Sequence, residues 1–255
     1  MDLIIAANWK MHKTTAETIE YCQAIRKDEE LFKGLELLVC PPFTALPAAA
    51  QILKGSPIKL GAQDMHWEQK GAFTGEVSSA MLLDLGVEYV IIGHSERRHL
   101  LGESDLWVNQ KMKAALTSGI KPILCVGETE AEREQSITEE VLKRQLSSAL
   151  KELQAETVKS LVVAYEPVWA IGTGKAASPG DAENASAYIR TIVKDIFGKD
   201  TGDSLFIQYG GSVNEDNIGL FAVLPSVQGV LVGGASLKAD TFSALIQAAR
   251  KAVES

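Results

Sequence analysis

The run Leu161-Val162-Val163-Ala164-Tyr165-Glu166-Pro167-Val168-Trp169-Ala170-Ile171-Gly172-Thr173-Gly174-Lys175-Ala176-Ala177-Ser178-Pro179 reads as one complete folding unit. Leu161–Tyr165 is a short, unbroken apolar run of the kind that forms a strand covered on both faces. Pro167 ends it, because proline stops a helix from starting at once and confines Glu166 to extended geometry. A loop with two glycines follows. Ser178-Pro179 then supplies a helix cap with proline at the first helical position, opening an apolar-periodic stretch that runs to Phe197. The unit is strand, loop, helix, with a carboxylate fixed at the mouth of the strand. Burial there disfavours the ionised form, so the expectation for Glu166 is a raised pKa and a stronger base, backed by a hinged lid.

Two nucleotide readings of this loop fail. Gly172-x-Gly174-x-x-Ala177 fits a loose dinucleotide pattern, but six residues including a proline separate it from its strand. A Walker loop would need glycine where Trp169 stands and Ser or Thr where Ala176 stands.

Working outward, the same unit recurs. Apolar runs lie at Leu3–Ala7, Leu35–Cys40, Ile58–Gly61, Val87–Ile92, Pro122–Val126, Leu161–Tyr165, Leu205–Tyr209 and Gly229–Val232. Between them, helical spacing of apolar residues marks Thr15–Lys27, Thr44–Leu53, Ser79–Leu85, Asp105–Ser118, Thr138–Leu153, Ser178–Phe197, Asp216–Leu224 and Leu237–Val253. Eight strand-helix pairs in 255 residues, evenly spread and without a linker, predict an α/β chain folded as a single-domain (β/α)8 barrel over residues 1–255. A doubly wound open sheet is the weaker alternative, since no second domain stands out.

Composition narrows the function classes. A net charge of −8 argues against nucleic acid or an acidic membrane surface as the main partner. It does not exclude a phosphate ligand, because backbone N–H groups and one lysine set the local field. Cys22, Cys40 and Cys125 are far apart and match no metal or disulfide spacing, which suits a reducing, cytoplasmic setting. Met1–Ala7 lacks the basic start and long apolar core of a signal peptide, and no run approaches a membrane span.

In a barrel of this kind chemistry gathers where the strands end, so the polar residues just after each apolar run are the candidates. The first strand leads to Asn8-Trp9-Lys10-Met11, which makes Lys10 a site lysine. The second gives the stiff turn Cys40-Pro41-Pro42-Phe43-Thr44, read as structural. The third gives Gln63-Asp64-Met65-His66 and a long excursion, Gly71-Ala72-Phe73-Thr74-Gly75-Glu76, read as a subunit contact. The fourth gives Gly93-His94-Ser95-Glu96-Arg97-Arg98, where a short helical turn would present its positive end to His94 and keep the imidazole neutral. His12, His66 and His99 have less positional support. Gly127-Glu128 after the fifth strand is read as supportive. The last two strands end in Tyr209-Gly210-Gly211-Ser212 and Val232-Gly233-Gly234-Ala235-Ser236, paired glycines that expose backbone N–H groups where barrels commonly hold phosphate.

Taken together and in order, Asn8-Trp9-Lys10-Met11, Gly93–Arg98, Ala164–Gly174, Tyr209–Ser212 and Leu231–Gly234 resemble the triosephosphate isomerases, over the whole chain. That resemblance implies the TIM barrel, and catalytic roles for Lys10, His94 and Glu166. It also implies substrate contacts from Asn8, Lys10, Gly172, Ser212, Gly233 and Gly234. The implied substrate is a small phosphorylated three-carbon sugar; the reaction needs neither cofactor nor metal, and the implied assembly is a homodimer in which Thr74 enters the neighbour near its site. His12 departs from the asparagine usual after the methionine, and Lys175-Ala176-Ala177 is one version of a variable lid hinge. Two other readings stay open: a Schiff-base aldolase on the same barrel, and a catalytically dead barrel that senses a sugar phosphate.

Overall fold

A computed structural model describes residues 3–32, 34–171 and 177–254. Eight strands pair in parallel and in chain order, and the last returns to the first to close a barrel: β1 Leu3–Asn8, β2 Leu35–Cys40, β3 Lys59–Ala62, β4 Tyr89–Ile92, β5 Lys121–Val126, β6 Val162–Tyr165, β7 Phe206–Tyr209 and β8 Gly229–Val232. Closure is carried by Ile4 opposite Gly229 through Ala7 opposite Val232. Because every pairing is parallel, Asn8, Val126, Tyr165, Tyr209 and Val232 all end on one rim.

The α-helices are α1 Thr15–Arg26, α2 Leu46–Leu53, α3 Ser79–Asp84, α4 Ser95–Leu100, α5 Asp105–Ser118, α6 Glu130–Glu134, α7 Thr138–Ala149, α8 Pro179–Phe197, α9 Lys199–Asp203, α10 Ile218–Ala222 and α11 Ala239–Glu254. None among the described residues is long and apolar enough to cross a membrane.

The unbroken apolar runs are explained by two cores. Alternate residues of the strands, such as Leu3, Ile5 and Ala7, pack outward against the helices. Their neighbours Ile4 and Ala6 point inward with Leu38, Ile91, Ile123, Ala164 and Leu231, filling the barrel. Both faces are apolar because both are buried.

Local chemistry sets the element ends. Ser178 caps α8 in a reciprocal box with Asp181, with Pro179 at the first turn. Two helices are shorter than expected by four residues each. α7 stops at Ala149 because Asn109 Nδ2 donates to the Ala149 and Lys151 carbonyls and Glu152 adopts φ 63°. α10 starts late because Asn214 Oδ1 accepts the N–H groups of Asp216 and Asn217, an alternative to helical bonding. α6 and α9 have too few apolar residues to show in a periodicity; α6 rests on a capping box between Thr129 and Glu132.

Candidate active site

On the C-terminal rim, Lys10 has φ 53°, a left-handed conformation that is costly for a residue with a side chain. It is held from both sides. Asn8 Oδ1 accepts the Lys10 N–H at 3.0 Å, and Gln63 Nε2 donates to the Lys10 carbonyl at 2.8 Å. The twisted backbone swings the side chain over the barrel mouth, where Nζ lies 2.6 Å from Glu96 Oε1. A Cβ on Gly233 would sit 3.3 Å from Lys10 Cε, so the glycine leaves room for the lysine stem.

His94 caps α4. Its Nδ1 accepts the N–H of Glu96 at 3.2 Å, which places the ring proton on Nε2. Nε2 in turn lies 2.9 Å from Glu166 Oε1. The other carboxylate oxygen, Oε2, accepts the Ser95 N–H at 2.9 Å.

Three strand ends fix Glu166, which is only 2% exposed. Its N–H donates to the Val126 carbonyl at 2.8 Å. A Cβ on Gly127 would lie 1.7 Å from the Glu166 carbonyl oxygen, and one on Gly210 would lie 3.0 Å from Glu166 Cγ. The backbones of β5 and β7 therefore close on Glu166 as only glycine permits. Below it, the buried Glu128 accepts Tyr165 OH and, at 2.8 Å, Trp169 Nε1, tying the start of the following loop to the barrel.

The expected rise in the Glu166 pKa is overturned. Burial is the largest influence and raises it, but His94, the Ser95 N–H and the charge of Lys10 together outweigh burial, and the carboxyl is held below its ordinary value. For His94, burial again acts first and lowers the pKa, while the carboxylates of Glu166 and Glu96 reverse the balance and raise it. The neutral histidine expected from the helix terminus is therefore opposed here by the carboxylates of Glu166 and Glu96.

The groups surround a cavity of about 210 Å³ lined by Asn8, Lys10, His94 and Glu166 on one side and by Gly210, Gly211, Ser212, Gly233 and Gly234 on the other, with Ile171 and Leu231 as apolar walls. Seven of the eight residues singled out from the sequence therefore meet at one place; Gly172 lies outside the described residues. His12 and His99 are exposed on the surface, and His66 stacks on Trp67. Sequence reading missed Gln63, the Ser95 N–H, Ile171 and Leu231 as site elements, and Glu96 as the partner of Lys10. Ser95 and Glu96 sit inside the motif that marked His94, which was the available signal.

A family model described as triosephosphate isomerase matches residues 3–249. The chain is 52% identical over 240 residues to the triosephosphate isomerase of Acetivibrio thermocellus, covering 94% of this chain and 95% of the relative. It is 50% identical over 243 residues to that of Carboxydothermus hydrogenoformans, covering 95% and 97%. A third relative, from Clostridium tetani, is 51% identical over 244 residues, covering 95% of each. With the closed barrel and the convergent rim, these matches establish that the chain belongs to the triosephosphate isomerase family.

Proposed function

We propose that this chain interconverts dihydroxyacetone phosphate and D-glyceraldehyde 3-phosphate, a step of glycolysis and gluconeogenesis, in the cavity between Glu166 and the glycine turns. The observation that carries this reading is the meeting of one carboxylate, one imidazole and one ammonium around a single small cavity with exposed backbone turns opposite. Glu166 leaves its bonds to His94 and Ser95, removes a proton from the carbon beside the substrate carbonyl, and returns it to the neighbouring carbon. His94 donates from Nε2 to the substrate oxygens and moves protons between them. Lys10 places positive charge where the enediolate oxygen becomes negative. Ser212, Gly233 and Gly234 hold the phosphate through hydrogen bonds, Asn8 keeps Lys10 in place, and Gly172 belongs to a lid, Trp169–Lys175, that closes over the ligand. No cofactor or metal takes part in this scheme.

Proton transfer is tested directly by incubating dihydroxyacetone phosphate with the protein in deuterium oxide. Deuterium at the carbon beside the carbonyl, with isomerised product, is the expected result. A covalent lysine adduct trapped by borohydride, without isomerisation, would favour the aldolase reading instead.

The assembly we propose is a homodimer in the cytoplasm. Phe73 is 42% and Met11 93% exposed, and Leu100 and Leu101 also face solvent, apolar side chains that a subunit contact would cover. Thr74 would cross into the neighbour. The three buried free cysteines suit a reducing compartment. Sedimentation that finds a fully active monomer would contradict the dimer.

A further inference from the structure

Lys13 lies outside the cavity lining, yet it is the second left-handed non-glycine residue in four positions, with φ 76° after the 53° of Lys10. Such conformations persist where surrounding contacts over-determine them, and at Lys13 the contacts are specific. Its ammonium donates to the Leu237 carbonyl at 2.7 Å, across 224 residues of chain. The same nitrogen stands 4.7 Å from the centre of the Tyr21 ring and 5.3 Å from that of Trp9, which meet edge to face. Tyr21 then donates from its hydroxyl to the Ser236 carbonyl at 2.8 Å.

Both acceptors belong to the end of one short turn. Gly234–Ser236 is a single 3-10 turn, closed by Ser236 N–H on the Gly233 carbonyl and Leu237 N–H on that of Gly234. Ser236 Oγ also donates to the Gly233 carbonyl, at 2.7 Å. The Tyr21 hydroxyl and Lys13 ammonium therefore hold the far end of the turn whose near end, Gly233-Gly234, lines the cavity.

We propose that Lys13 is a positioning residue that sets the Gly233-Gly234 turn for phosphate through Leu237, with Tyr21 and Trp9 as the platform that aims its ammonium. This rests on the reading of those glycines as the phosphate site. It joins the segment that carries Lys10 to the segment that holds the phosphate, so that the charge on the enediolate and the charge on the phosphate are met by one braced unit.

The test compares wild type with Lys13→Met, Lys13→Arg and Tyr21→Phe, measuring kcat, KM, the inhibition constant of inorganic phosphate, phosphate affinity by calorimetry, and melting temperature. For Lys13→Met, KM and the phosphate constant should rise together by about tenfold with kcat changed less than about threefold, as expected for loss of a charge-assisted bond that acts on binding. Tyr21→Phe should move both constants the same way by less, without any change of charge, and Lys13→Arg should restore most of the loss. A lowered melting temperature with both constants unchanged would assign Lys13 to structure alone and overturn the inference. Weaker phosphate binding in Lys13→Met, from a protein without isomerase activity, would contradict the proposed reaction while sustaining the role of Lys13.

Discussion

Nε2 of His94 lies 2.9 Å from Oε1 of Glu166, and Nδ1 of the same ring is already committed to the Glu96 N–H. The proton donor and the base of the proposed reaction therefore hold each other when no substrate lies between them. Each half of the pair shifts the other's ionisation, and a substrate must replace that bond with its own oxygens.

This pair sets a pH signature in stability. The Glu166 pKa is lowered, so its contribution is present above the unfolded carboxyl value and is lost as pH falls through the folded one. The His94 pKa is raised, so its contribution is present below the unfolded imidazole value and is lost as pH rises through the folded one. Both are full between about pH 4.5 and 6.5. The stability gap between wild type and Glu166→Gln should be widest in that window and narrow on either side, and the His94 pKa should fall in the variant. Melting curves across pH and NMR titration of the ring read the two effects.

Lys10→Met should reduce kcat/KM by roughly 10²–10³, the cost of one well-aimed group at a developing oxyanion. Its melting temperature should change little, because the one side-chain ion pair it loses among the described residues, with Glu96, is partly exposed and worth at most about 1 kcal/mol. Near-normal turnover would remove Lys10 from the chemistry.

Gly127→Ala would place a methyl carbon 1.7 Å from the Glu166 carbonyl oxygen. Backbone must move to admit it, so the expected outcome is a loss of at least about 1–3 kcal/mol of stability. Because the backbone displaced carries Glu166, kcat should fall as well, to an extent that phosphate affinity does not share. Unchanged kcat in a stably folded variant would show that Glu166 tolerates displacement.

The strands were legible because burial on both faces leaves few polar residues within them, and because most are followed by a proline, glycine or charged residue. Leu35–Cys40 and Gly229–Val232 coincide with β2 and β8 for this reason. The site was legible where one residue type at a strand end has few structural uses, as with Lys10, His94 and Glu166. The ionisation of Glu166 was not, because it depends on His94 and Ser95, which lie 72 and 71 positions away in the chain and meet it only through barrel closure. Nor was Gln63, whose role is to hold the Lys10 carbonyl. A left-handed lysine leaves no mark in composition or periodicity.

Deleting Ile171–Gly174 should open the proposed lid. An enediolate phosphate exposed to water expels its phosphate, leaving methylglyoxal, so the fraction of turnovers ending in those products should rise while the proton-transfer groups stay in place. An unchanged ratio of methylglyoxal to isomerised product would count against a protective lid.

The most direct measurement is a coupled isomerase assay on the purified wild-type chain beside Glu166→Gln. Wild type should convert glyceraldehyde 3-phosphate to dihydroxyacetone phosphate, and the variant, matched in shape but unable to take a proton, should be slower by roughly 10²–10⁴. A variant as fast as wild type, or a folded wild type with no turnover, would contradict the account.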